Sequence, residues 1–131
     1  MLSHVTIGTN DFPKARAFYM AVTEALGFRV LFENAQPAFI TFSDQEKSRP
    51  WVFLTSPENG KPQTVGNGQM NAFLAPDRKS VDAGFAAAMA NGGTSEGDPG
   101  LRLHYHPDFY AAYVRDPDGN KLCFVCHTPE A

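Results

Sequence analysis

Asp11-Phe12-Pro13-Lys14-Ala15-Arg16-Ala17-Phe18-Tyr19-Met20-Ala21-Val22-Thr23-Glu24-Ala25-Leu26-Gly27 has a counterpart further along the chain, Asp77 through Gly93. Each segment opens on an aspartate placed to cap a helix, and apolar residues then recur at helical spacing. In the first these are Ala15, Phe18, Tyr19, Val22 and Leu26; in the second they are Val81, Phe85, Ala88 and Met89. Pro13 falls in the first turn, where its missing N–H costs nothing. Glycine closes both: Gly27 in the first, Asn91-Gly92-Gly93 in the second. The two segments align without a gap, Asp11 with Asp77, Tyr19 with Phe85 and Gly27 with Gly93. Few residues are identical, so the repeat lies in the order of cap, helix and terminating glycine.

The flanking runs repeat as well. Leu2 to Gly8 alternates, with Val5 and Ile7 on one face and His4, Thr6 and Gly8 on the other. One apolar and one small polar face suit a strand that is backed by a helix and lines a cavity. After the first helix the pattern predicts strands at Phe28–Glu33, Ala38–Ser43 and Trp51–Thr55. The stretch Ser56 to Gly68 has no apolar periodicity and reads as a linker. Met70–Ala75 then predicts a strand before the second helix. A short strand near Thr94–Glu96 follows it, then a loop through Asp98-Pro99-Gly100. A strand at Tyr110–Arg115, the turn Asp116-Pro117-Asp118-Gly119 and a closing strand Lys121–Cys126 complete the chain. Each half is thus β-α-β-β-β: module one is about residues 1–56, the linker 57–68 and module two about 69–128. The fold class expected is α+β, one domain over 1–131, with two tandem βαβββ modules forming a concave, partly closed mixed sheet and the helices outside.

Composition excludes several classes. The chain has 131 residues, 43% of them hydrophobic and 19% charged, which is a globular rather than a disordered profile. Its formal net charge of −3 is not clustered, so neither nucleic acid nor a membrane surface is an expected partner. No apolar run approaches a membrane span, and the start carries no leader pattern, so a cytoplasmic location is expected. Cys123 and Cys126 lie on opposite faces of one strand at this spacing, so they cannot pair with each other.

The architecture resembles the vicinal oxygen chelate superfamily, which includes glyoxalase I, bleomycin and fosfomycin resistance proteins and extradiol dioxygenases. The resemblance covers nearly the whole chain. Its most specific pieces are Leu2-Ser3-His4-Val5-Thr6-Ile7 and Arg115-Asp116-Pro117-Asp118-Gly119-Asn120-Lys121-Leu122. The run Leu101-Arg102-Leu103-His104-Tyr105-His106-Pro107 followed by Phe109-Tyr110 adds to it. In enzymes of that family a metal sits in the sheet cavity, held by residues from the first strand of each module and the last strand of the second. His4 matches the first position. Gly66-Asn67-Gly68-Gln69-Met70 puts Met70 where the family has histidine, and Cys123 stands where it has glutamate.

Two of three ligand positions are thus substituted. A catalytic metal site needs about three protein ligands, and a thioether attracts a hard cation weakly. The resemblance therefore implies no expected metal or other cofactor, with a divalent metal as the alternative. The leading reading is a protein that binds a small organic molecule in its cavity. The alternative is a metal-dependent glyoxalase-like lyase or isomerase, or a dioxygenase-like enzyme, using His4 with replacement ligands from His104 or His106. Whether the chain is an enzyme is left open; the catalytic candidates are His4, His106 and Tyr110. The expected pocket residues are His4, Trp51, Met70, His104, His106, Tyr110 and Cys123, with Phe53 beside Trp51 on one strand face. Relatives close an open sheet by pairing subunits, so a homodimer is expected.

Overall fold

The computed structural model describes residues 1–130. Its elements run β1 (His4–Gly8), α1 (Phe12–Ala25), β2 (Arg29–Ala35), β3 (Ala38–Ser43) and β4 (Trp51–Thr55). Module two follows with β5 (Asn71–Leu74), α2 (Arg78–Ala90), β6 (Thr94–Leu101), β7 (Tyr110–Arg115) and β8 (Lys121–Cys126). Two four-stranded mixed sheets result, ordered β1-β4-β3-β2 and β5-β8-β7-β6. In each the first strand lies parallel to the last and the other neighbours are antiparallel. The tandem βαβββ architecture is therefore present.

Local chemistry explains both helices. The carboxylate of Asp11 accepts from the Lys14 N–H and that of Asp77 from the Ser80 N–H, each satisfying a donor the first turn leaves free. Gly27 ends α1 with φ +83°, a conformation that a Cβ disfavours. In module two the left-handed residue is Gly92 (φ +92°), one position earlier than the repeat alignment suggests. Gly93 serves a different need. A Cβ there would stand 2.8 Å from the Ala88 carbonyl oxygen and 2.9 Å from the Phe18 ring, so its hydrogen lets α1 close on module two.

The modules share one core. Phe18, Tyr19 and Val22 of α1 and the capping Leu26 are buried with Val81 and Ala88 of α2 and with Leu122 and Phe124 of β8. At Gly84, in the middle of α2, an added Cβ would meet Leu26 at 3.1 Å, so a small residue sets the approach of the two helices. The buried Tyr19 hydroxyl donates to Asp116 Oδ2 at 2.5 Å, tying α1 to the β7–β8 turn. Burial first, and the adjacent Asp116 carboxylate second, raise the Tyr19 pKa well above its ordinary value. Asp116 in turn accepts from the backbone N–H groups of Asp118 and Asn120, which fixes the turn.

One segment differs from its sequence reading. Thr94 to Leu101 is a single bulged strand, where a short strand and a loop were expected. Its register against β7 slips twice, between Ser95 and Gly97 and again between Gly97 and Gly100. These bulges absorb Pro99, which an outer strand tolerates because one edge needs no ladder bond.

Candidate functional site

Strand parity divides each sheet into a helix-facing side and an open side. On β1, Ile7 is buried in the core and Val5 packs against it, while His4 and Thr6 are exposed on the other face. Register carries that open face across the sheet: His4 opposes Trp51, Thr6 opposes Phe53, and Phe53 and Phe32 both oppose Thr41. The result is a patch of rings. Phe32 meets Phe39, Trp51 and Phe53 edge-on at centroid distances of 5.9, 6.0 and 6.0 Å, and His4 meets Phe53 at 5.1 Å. The Arg49 guanidinium lies 3.6 Å above the Trp51 ring. His4 Nδ1 is 3.0 Å from the Ser3 hydroxyl. Beneath the rings Thr41 is fully buried and its hydroxyl has no partner.

Module two presents a different surface. Cys123, Ala111 and Val125 form a small buried cluster with Phe109 and Tyr113 packed on it, separate from the main core. Burial pushes the Cys123 thiol up to about 11, against smaller opposing effects from Tyr113, Arg102 and Lys121. Arg102 and Lys121 lie over the Tyr113 ring at 5.4 and 5.7 Å. The Arg102 guanidinium is held in place by donation to the carbonyls of Gly100 and Asp98, both at 2.8 Å.

The expected pocket residues fall in five places. His4 and Trp51 share the aromatic face of module one. Cys123 lies on the open face of module two, and among the described residues no strand Cα of one sheet lies within 8 Å of a strand Cα of the other. Met70 precedes β5, is 44% exposed, and lines a 330 Å³ cleft between the modules with Thr6, Gly8, Arg115, Lys121 and the linker. His104 and His106 belong to the turns before β7. His104 packs on Tyr105, and His106 Nε2 is 2.8 Å from Nδ1 of His127.

Tyr110 stands apart from the expected pocket. Alternation on β7 turns it toward α2, where its hydroxyl donates to Asp82 at 2.6 Å and Arg78 lies over its ring. That hydrogen bond, with burial second, pushes its pKa up to about 12. Sequence reasoning passed over Phe32, Phe39, Thr41, Tyr113 and His127. Phe39 and Thr41 were legible by parity from β3. Phe32 was not, because a register shift between Val30 and Phe32 breaks the alternation.

Among the described residues no group of three or more His, Cys, Asp and Glu side chains is placed to hold a metal ion. Among the described residues no helix is long and apolar enough to cross a membrane.

Comparison with known proteins follows the architecture. A glyoxalase/bleomycin resistance protein from Albidiferax ferrireducens is 38% identical over 98% of this chain and 99% of its own, with a TM-score of 0.82. A family enzyme from Burkholderia phytofirmans (24% identity, 96% and 98% covered, TM-score 0.70) shares the fold. So does a glyoxalase-related enzyme from Fulvimarina pelagi (20% identity, 96% and 87% covered, TM-score 0.71). No curated protein shows a significant match. The family model for the Glyoxalase/Bleomycin resistance protein/Dioxygenase superfamily matches residues 1–124, and the chain belongs to that superfamily.

Proposed function

We propose that this protein binds a small organic molecule on the open faces of its sheets, without the metal centre of the family's enzymes, and does so as a homodimer. The observation that carries the reading is the donor set. His4 offers one imidazole, Met70 an exposed thioether, and Cys123 a buried thiol that stays protonated at neutral pH. A metal of the family's kind needs about three good donors and gains from negative charge beside it, and these residues supply neither. The donor set does not fit the group.

The surfaces support binding. Module one contributes aromatic rings, and module two contributes an apolar patch bordered by Arg102 and Lys121. Both suit a ligand held mainly by apolar contact with a few polar groups fixing its orientation. Four outer strands, β1, β2, β5 and β6, are without a second neighbour in one chain. Leu74, Leu101, Leu103 and Tyr105 are all more than 40% exposed. A second copy of the chain is the proposed cover for that apolar surface, since two-fold dimers are the commonest assembly.

The variant Met70→His, Cys123→Glu tests the assignment of the ligand positions. Titration with Ni²⁺ or Zn²⁺ is expected to show one tight site per chain that the parent protein lacks and that His4→Ala removes. A parent protein that already binds either ion tightly through His4 would overturn the proposal.

A further inference from the structure

The aromatic patch of module one has features that simple packing does not explain. Thr41 is completely buried, on the open face, directly between Phe32 and Phe53, and its hydroxyl has no partner. A buried hydroxyl left unpaired is a destabilising feature that folded proteins rarely keep. The ring that covers it is the least anchored of the cluster. Phe32 sits beside a bulge on an outer strand, is 42% exposed, and touches its three neighbours only edge-on. Phe39, Trp51 and Phe53 are instead set on the two inner strands of the sheet. Rotation of Phe32 outward would leave a slot walled by those three rings, with an unpaired hydroxyl at its base.

We propose that this cluster is the closed form of a binding slot for a planar aromatic ring bearing a carbonyl oxygen, with Phe32 as its gate. The proposal rests on the reading of the sheets' open faces as ligand-binding surfaces and specifies the ligand class for one of them. An incoming ring replaces the edge-on contacts that Phe32 gives up. The ligand's carbonyl accepts from the Thr41 hydroxyl, which the closed state leaves without an acceptor. His4 stands at the rim, its Nδ1 3.0 Å from the Ser3 hydroxyl.

Acetophenone, its carbonyl-free isostere α-methylstyrene and its non-aromatic analogue cyclohexyl methyl ketone separate the two requirements. Calorimetry measures affinity, and the single tryptophan gives one indole N–H signal by NMR that reports on the slot. Acetophenone is expected to saturate and to shift the Trp51 signal. It should bind about fivefold more tightly than α-methylstyrene, the worth of one modest hydrogen bond, with the cyclohexyl ketone weaker still. Thr41→Val should erase the preference for acetophenone while raising the melting temperature, because the unpaired hydroxyl is gone. Phe32→Ala should tighten acetophenone binding, because the closed state no longer competes. Loss of melting temperature in Thr41→Val, or weaker binding in Phe32→Ala, overturns the slot. So does acetophenone binding that shifts only signals of Ala111 and Val125, although that result would leave ligand binding at the open faces intact. Absence of any saturable shift overturns the slot as well, while the metal titration above judges the broader reading separately.

Discussion

Under the proposed assignment of ligand positions Cys123 replaces a carboxylate, and its surroundings decide what a thiol can do there. With its pKa pushed up to about 11 by burial, it is neither a ready nucleophile nor a charged ligand at neutral pH. Iodoacetamide at pH 7.5 is expected to leave Cys123 unmodified in the folded protein and to label it promptly after denaturation, as mass spectrometry would show. Rapid labelling of the native protein would contradict this burial. The fold holds this thiol neutral to about pH 11, whereas an unburied thiol ionises near 9.0. Its contribution to stability is therefore complete below pH 9 and is lost as the pH rises from 9 to 11. A Cys123→Ala variant should lose less stability across that interval than the parent in urea titrations. Tyr19 belongs to the same scale. Removing its hydroxyl leaves a buried Asp116 oxygen with only Asn120 as donor. Tyr19→Phe is expected to cost about 1–3 kcal/mol in chemical denaturation, and a neutral result would show that the α1–turn link is incidental.

The elements were largely legible because their signals are local. Each helix has a cap, an apolar stripe and a glycine, and β1 alternates cleanly. Failures came where local signals were weak or reversed. Pro99 and the glycines at 97 and 100 read as a loop, yet β6 runs through them, because pairing with β7 outweighs propensity and bulges absorb the misfit. Tyr110 is expected in the pocket with His104 and His106, but alternation along β7 turns it to α2. The glycines separate two kinds of requirement. Gly27→Ala places a side chain in open space at φ +83° and should cost about 1 kcal/mol. Gly93→Ala drives a Cβ against two backbone carbonyls and the Phe18 ring and should cost about 2 kcal/mol or more. Thermal denaturation that ranks the two the other way would contradict the close helix–module approach.

At the scale of the whole molecule, the repeat predicts two equivalent faces but not their chemistry. One became a cluster of rings over a lone hydroxyl, the other an apolar patch bordered by cations. That difference lies in residues such as Phe32 and Tyr113, whose roles depend on register and bulges rather than on pattern. The exposed apolar surface of a single chain gives the homodimer its test. Light scattering at micromolar concentration should give twice the 14.3 kDa chain mass, and a value near one chain would contradict the proposed cover. The central claim is that the protein binds its ligand without the family's metal. Elemental analysis of protein purified without chelator, beside a His4→Ala variant prepared identically, tests it most directly. Far less than one equivalent of any transition metal or zinc per chain in both preparations is the expected result. One equivalent in the parent, absent from His4→Ala, would contradict it.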